Sequence, residues 1–145
     1  MQYKAYIRDV FYEWYEGSLY LDVNGISFAA AYTVNCDEFI ARHLKIGAQI
    51  TVDLWLRYCN HIKYLPVDAP KSFPQNRKIC GGSIQGMVVS SHEPDLFRLD
   101  CGVITIDVKL EGGIAPPVAQ IIKTTGTYHV FFPGTECSLE NLGLI

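Results

Sequence analysis

SLYLDVNGISFAAAY, residues 18–32, is the stretch whose reading decides the fold. Leu19, Leu21 and Val23 alternate with Tyr20 and Asp22, and beyond Asn24-Gly25 the residues Ile26, Phe28, Ala30 and Tyr32 alternate with Ser27, Ala29 and Ala31. Successive side chains of a strand point to opposite faces, and Asn-Gly tolerates the positive φ values of a two-residue hairpin turn. The stretch therefore predicts two half-buried strands with Leu21, Ile26 and Phe28 in the core. LFRLDCGVITIDVKL, residues 96–110, echoes it 78 positions later, with Phe97, Leu99, Cys101, Ile104, Ile106, Val108 and Leu110 on the apolar side.

Outward from these hairpins, residues 3–15 are aromatic and β-branched without Pro or Gly and predict a first strand. Its faces do not separate: Tyr6, Val10, Tyr12 and Trp14 share one parity, and Tyr3, Ala5, Ile7 and Phe11 the other. After the first hairpin, Asn35 or Asp37 can cap a short amphipathic helix bearing Phe39, Ile40, His43 and Leu44, stopped by Gly47. Residues 49–58 alternate as a strand, 61–67 can add a fifth, and Pro66, Pro70 and Pro74 mark a connector. Residues 83–91 predict the next strand, Val118 to Ile122 a second short helix after Pro116-Pro117, and 127–132 the last strand. The tail offers Leu139, Leu142 and Leu144 for docking.

The expected organisation is one compact unit of two repeats: repeat 1 over 1–64, a Pro-rich connector over 65–80, repeat 2 over 81–135, and a tail over 136–145. At the 78-residue shift Leu21 meets Leu99, Asp22 meets Asp100, Ile26 meets Ile104 and Val52 meets Val130. A one-residue slip reverses every side chain of a strand, so one shift that keeps apolar parity in three strands carries more weight than the identities. The order strand, strand, strand, helix, strand resembles the layout of the OB-fold, a partly open five-stranded barrel. The expected fold class is all-β with two short helices, built as tandem or pseudo-symmetric barrel-like units.

The chain of 145 residues is 49% hydrophobic and 19% charged, enough apolar material for a core. A net charge of -3 without runs of like charge disfavours generic nucleic-acid binding. No segment has the length and apolarity of a membrane-spanning helix, and the N-terminus lacks a signal-peptide core, so a cytoplasmic location is expected. Five cysteines without a CxxC pair fit reduced thiols in that compartment.

No phosphate loop, HExxH helix, GxSxG elbow or GxGxxG turn occurs, which favours a binding module over an enzyme and implies no cofactor. Cys59, His61 and Cys80 form the one cluster with metal donors, at the wrong spacing for zinc. Cys101 or Cys137 with His92 or His129 are formal nucleophile pairs, although Cys101 reads as a small buried hydrophobe. The stronger candidate is an outward face carrying Tyr20, Trp55 and Arg57, because Tyr, Trp and Arg dominate the energetic centres of protein interfaces. Burial of Trp55 and Tyr20 under the connector or the other repeat is the competing reading. The expected function is recognition or inhibition of another protein. The alternative is single-stranded nucleic acid stacked on the same aromatics, for which Arg8, Arg57, Lys63, Lys71, Arg77 and Lys78 would have to line the groove, and the second alternative is a small enzyme with no recognisable motif.

Overall fold

The computed structural model describes residues 1–13, 16–33 and 37–144, with the backbone alone at 12, 13, 16 and 37. Strands β1 (Gln2–Glu13), β2 (Glu16–Val23) and β3 (Ile26–Tyr32) form a meander, followed by helix α1 (Asp37–His43), β4 (Gln49–Cys59) and a short β5 (Ile62–Leu65). A second meander of β6 (Gly81–Glu93), β7 (Leu96–Asp100) and β8 (Thr105–Leu110) leads to β9 (Ile121–Phe131). The expected Asn35 cap, Cys36, Trp14 and Tyr15 lie outside the described residues.

The order β3-β2-β1-β4-β8-β7-β6-β9 closes into a ring through a parallel contact of β3 with β9, at Ala31 and His129. The ring is pinched across its middle, because Asp53 to Arg57 of β4 pair antiparallel with Phe131 to Thr127 of β9. Two five-stranded circuits result, β1-β2-β3-β9-β4 and β4-β8-β7-β6-β9, which share the β4–β9 pair. The fold is thus nearly all-β, with pseudo-symmetric barrel-like units whose strands, though not the second helix, follow the order the sequence led us to expect.

Strand register shows how the halves correspond. Ser18 pairs with Ala31, and Leu96 with Lys109, each 78 positions on. Ala5 pairs with Ile50, whereas its counterpart pair Gly86 with Ile122 lies 81 and 72 positions on. The shift of 78 therefore holds within the hairpins alone. It kept the parity of β4 against β9 because 72 and 78 are both even. The odd shift in β1 reverses parity, so the first strand does not superpose on β6 at 78. Leu56 pairs with Tyr128, its own counterpart 72 positions on, which puts the pseudo-twofold at the centre of the β4–β9 pair.

Leu21 and Phe28 are fully buried, Ile26 packs on the same core, and the turn residues Asn24 and Gly25 have φ of 50° and 80°. The whole apolar face of the second hairpin is likewise buried. The connector is not a loose linker. Phe73 enters the core, where its ring stacks on Tyr128 at 4.6 Å and meets Phe28 edge-on at 5.0 Å, while the Tyr128 hydroxyl donates to the Pro74 carbonyl. Asn76 accepts from the Ala29 amide through its carbonyl, and Ser72 bridges to Gln85.

The second expected helix is absent. Pro116 and Pro117 supply no N–H, and the Ala119 and Gln120 backbones instead exchange hydrogen bonds with Val88, leading straight into β9. Among the described residues α1 is the one α-helix, and no helix is long and apolar enough to cross a membrane.

The pinch demands close backbone approach at Gly126, where a Cβ would lie 2.6 Å from both the Arg57 carbonyl and Cys59 Sγ. Gly126→Ala is accordingly expected to lower unfolding free energy by about 2 kcal/mol, as overpacking does. Urea denaturation of the two proteins checks this.

Candidate functional site

The outward residues of the shared strands form one continuous row, with Asp53, Trp55 and Arg57 on β4 and Phe131, His129 and Thr127 opposite them on β9. Its two ends differ. At one end Trp55 is 6% exposed, meets Phe131 edge-on at 6.1 Å, and is covered with it by Leu139, Leu96 and Leu142. At the other end Arg57, Thr127 and His129 open into a cavity of about 890 Å³.

Several local features shape that cavity. Gly17 lets the Tyr32 ring lie across β2, since a Cβ there would fall 1.9 Å from a ring atom. Tyr58 has φ of 62°, a left-handed conformation uncommon for a bulky residue. Residue alternation is broken there: Cys59 is buried, and Tyr58 stands half exposed at the mouth. The Arg57 guanidinium sits 5.0 Å from the Tyr58 ring and 5.9 Å from the Phe131 ring. Stacked between aromatic faces, it keeps its edge N–H donors available for a planar or tetrahedral anion.

The connector contributes the opposite wall. The Asn76 side-chain oxygen accepts from the amides of Lys78 and Ile79, and this tight turn carries Arg77 and Lys78 to the cavity. Arg77 also pairs with Asp9 at 3.2 Å and lies 5.3 Å from the Tyr20 ring. No carboxylate lines the cavity among the residues whose side chains are described. Arg57 and Lys78 have no carboxylate partner among them either.

His129 completes the floor, with its ring 5.7 Å from Tyr58 and 6.1 Å from Phe131. Its Nδ1 is buried without a hydrogen-bond partner among the described residues. Burial, then the Arg57 charge, push its pKa down to about 4, against a smaller opposing effect of the Thr127 backbone. The imidazole is therefore neutral near pH 7.

The three residues of the expected outward patch go to different places. Arg57 is in the cavity, Tyr20 reaches its margin through Arg77, and Trp55 is buried at the capped end. They do not form one exposed surface. Of the six cations considered for a groove, Arg57, Arg77 and Lys78 converge, while Arg8 pairs with Asp22 and Lys71 with Asp100. Tyr58 and His129 were missed as a pair, since neither the bulge nor the β4–β9 register is written in local alternation.

The other chemistries fare differently. Cys59 faces the core and His61 is exposed, and no group of three or more metal-ligating side chains converges among the described residues. Burial pushes the Cys59 and Cys101 thiols up to about 12, which leaves them protonated and unreactive. Cys137 is disulfide-bonded, contrary to the expectation of reduced thiols throughout.

No protein-family model matches the chain, and no curated protein matches it. One solved structure is similar in fold. It is the cytoplasmic molybdate-binding protein ModG, in its PEG-grown form with molybdate bound, with a TM-score of 0.45, 13% sequence identity, and coverage of 92% of this chain and 96% of that one.

The low pKa of His129 makes an acid-linked prediction. Between about pH 6.5 and 4 the unfolded chain binds a proton at this residue that the folded chain refuses, so stability falls as pH falls through that window and levels off below it. His129→Gln is expected to flatten this part of the stability profile, measured by thermal unfolding at stepped pH.

Proposed function

We infer that the protein is a non-catalytic binding module whose ligand is anionic and enters the cavity beside Arg57. The observation that carries this is a concave space of about 890 Å³ in which Arg57, Arg77 and Lys78 meet without a lining carboxylate among the residues whose side chains are described. That volume lies in the range of small-molecule sites, and low-dielectric walls strengthen the attraction of such a cluster for an anion.

Recognition of another protein, inserting an acidic side chain, is the second reading. It is favoured by the exposed ring of Tyr58 at the mouth, at 51%. Tyr20 and Arg57 then belong to the interface, while Trp55 packs at the capped end of the same row.

Titrating the full chain with the fluorescent aromatic anion 8-anilinonaphthalene-1-sulfonate, with an octaglutamate peptide and with an eight-nucleotide oligothymidylate tests these readings. We expect saturable binding of the small anion that weakens as salt rises above about 0.1 M and is lost in Arg57→Glu with the fold intact. Octaglutamate binding much more tightly selects the protein reading, and oligothymidylate doing so selects nucleic acid. Small-anion binding indifferent to Arg57→Glu contradicts the cavity assignment.

A further inference from the structure

The charge balance and the walls of the cavity narrow the ligand class, on the reading that its ligand is anionic. Arg77 is already half committed, through its 3.2 Å contact with Asp9. Arg57 and Lys78 have no such partner among the described residues, which leaves two positive charges to be matched. The neutral imidazole of His129 adds none. A dianion balances the site, and a monoanion leaves one charge uncompensated.

The donors say more about its shape. Ser18, Thr33 and Thr127 bring hydroxyl groups to the same cavity, and none of the three uses its hydroxyl in a hydrogen bond to another described residue. Hydroxyl donors around a pair of cations suit a group with several acceptor oxygens on one centre, and a phosphoryl group has three. The stacked Arg57 guanidinium can then take two of those oxygens with parallel N–H bonds. A dicarboxylate divides the same charge between two carbon centres, so its oxygens do not gather on one point as the phosphoryl oxygens do.

The cavity is far larger than a bare oxyanion needs. Its remaining walls include the rings of Phe11, Tyr32 and Tyr58, which favour a flat, apolar body. We propose that the cavity binds a phosphate monoester carrying an aromatic ring, with Arg57 and Lys78 on the phosphoryl oxygens and the ring against Phe11 and Tyr58.

Isothermal titration of the full chain with phenyl phosphate, adenosine 5′-monophosphate, inorganic phosphate, phenol and phthalate tests the class. Phenyl phosphate or adenosine 5′-monophosphate is expected to bind at least about tenfold more tightly than inorganic phosphate, phenol or phthalate, the scale of one charge-assisted hydrogen-bond pair. Arg57→Gln should weaken that binding by about tenfold or more without changing the circular dichroism spectrum, and Arg57→Lys should restore part of it. Binding of phthalate as tight as phenyl phosphate, lost in Arg57→Gln, overturns the phosphate assignment while leaving the anion cavity standing. Phosphate-ester binding unchanged in Arg57→Gln, or no binding of either ester, also overturns it. If phthalate too fails to bind, the anionic reading of the cavity falls with it.

Discussion

The antiparallel contact between β4 and β9 is the constraint on which the rest of the structure depends. Each strand is a wall of both circuits: β4 pairs with β1, β8 and β9, and β9 with β3, β4, β5 and β6. Neither half can close without the other's strand, so the units share one core rather than packing as two small ones. That answers the size problem of a unit near the lower limit for an independent core. Ring closure also removes the exposed edges that an eight-stranded open sheet would present.

Pseudo-symmetry gives the molecule two related surfaces, and side-chain size distinguishes them. By strand register Thr127 corresponds to Trp55, 72 positions earlier, and Ser18 to Leu96, 78 positions later. At one end the large residues Trp55 and Leu96 fill the space, and Leu139 and Leu142 of the tail seal it. At the other end their small hydroxyl-bearing counterparts leave the space open, and the connector lines it with Arg77 and Lys78 instead of leucines. A twofold scaffold thereby carries different surfaces at its two related ends. Packing and site formation are one event here, because the same connector inserts Phe73 into the core and presents the two cations.

What could be read from the sequence follows the range of the interactions. The hairpin at 18–32 and its echo were legible because alternation and an Asn-Gly turn are local properties, and Leu21 and Phe28 are buried as that pattern requires. The helix at 118–122 was misread because the Ala119 and Gln120 backbones have distant partners on Val88. Arg57 was found as a functional candidate from residue type and outward parity. Its company was not, since Tyr58 reaches the mouth through a left-handed backbone, His129 through strand register, and Lys78 through a turn organised by Asn76. Trp55 shares the parity of Arg57 yet is buried, because nothing in strand alternation shows that the tail folds back over it.

The claim that one end of the β4–β9 row is a ligand site and the other is packing can be localised by backbone amide shifts. The measurement is a ¹H–¹⁵N correlation titration of the full chain with phenyl phosphate. The account predicts saturating shifts at Ser18, Arg57, Lys78 and Thr127, with the Trp55 indole and the Leu139 amide unmoved. Shifts centred on Trp55, Leu96 and Leu139, or scattered without saturation, would contradict it.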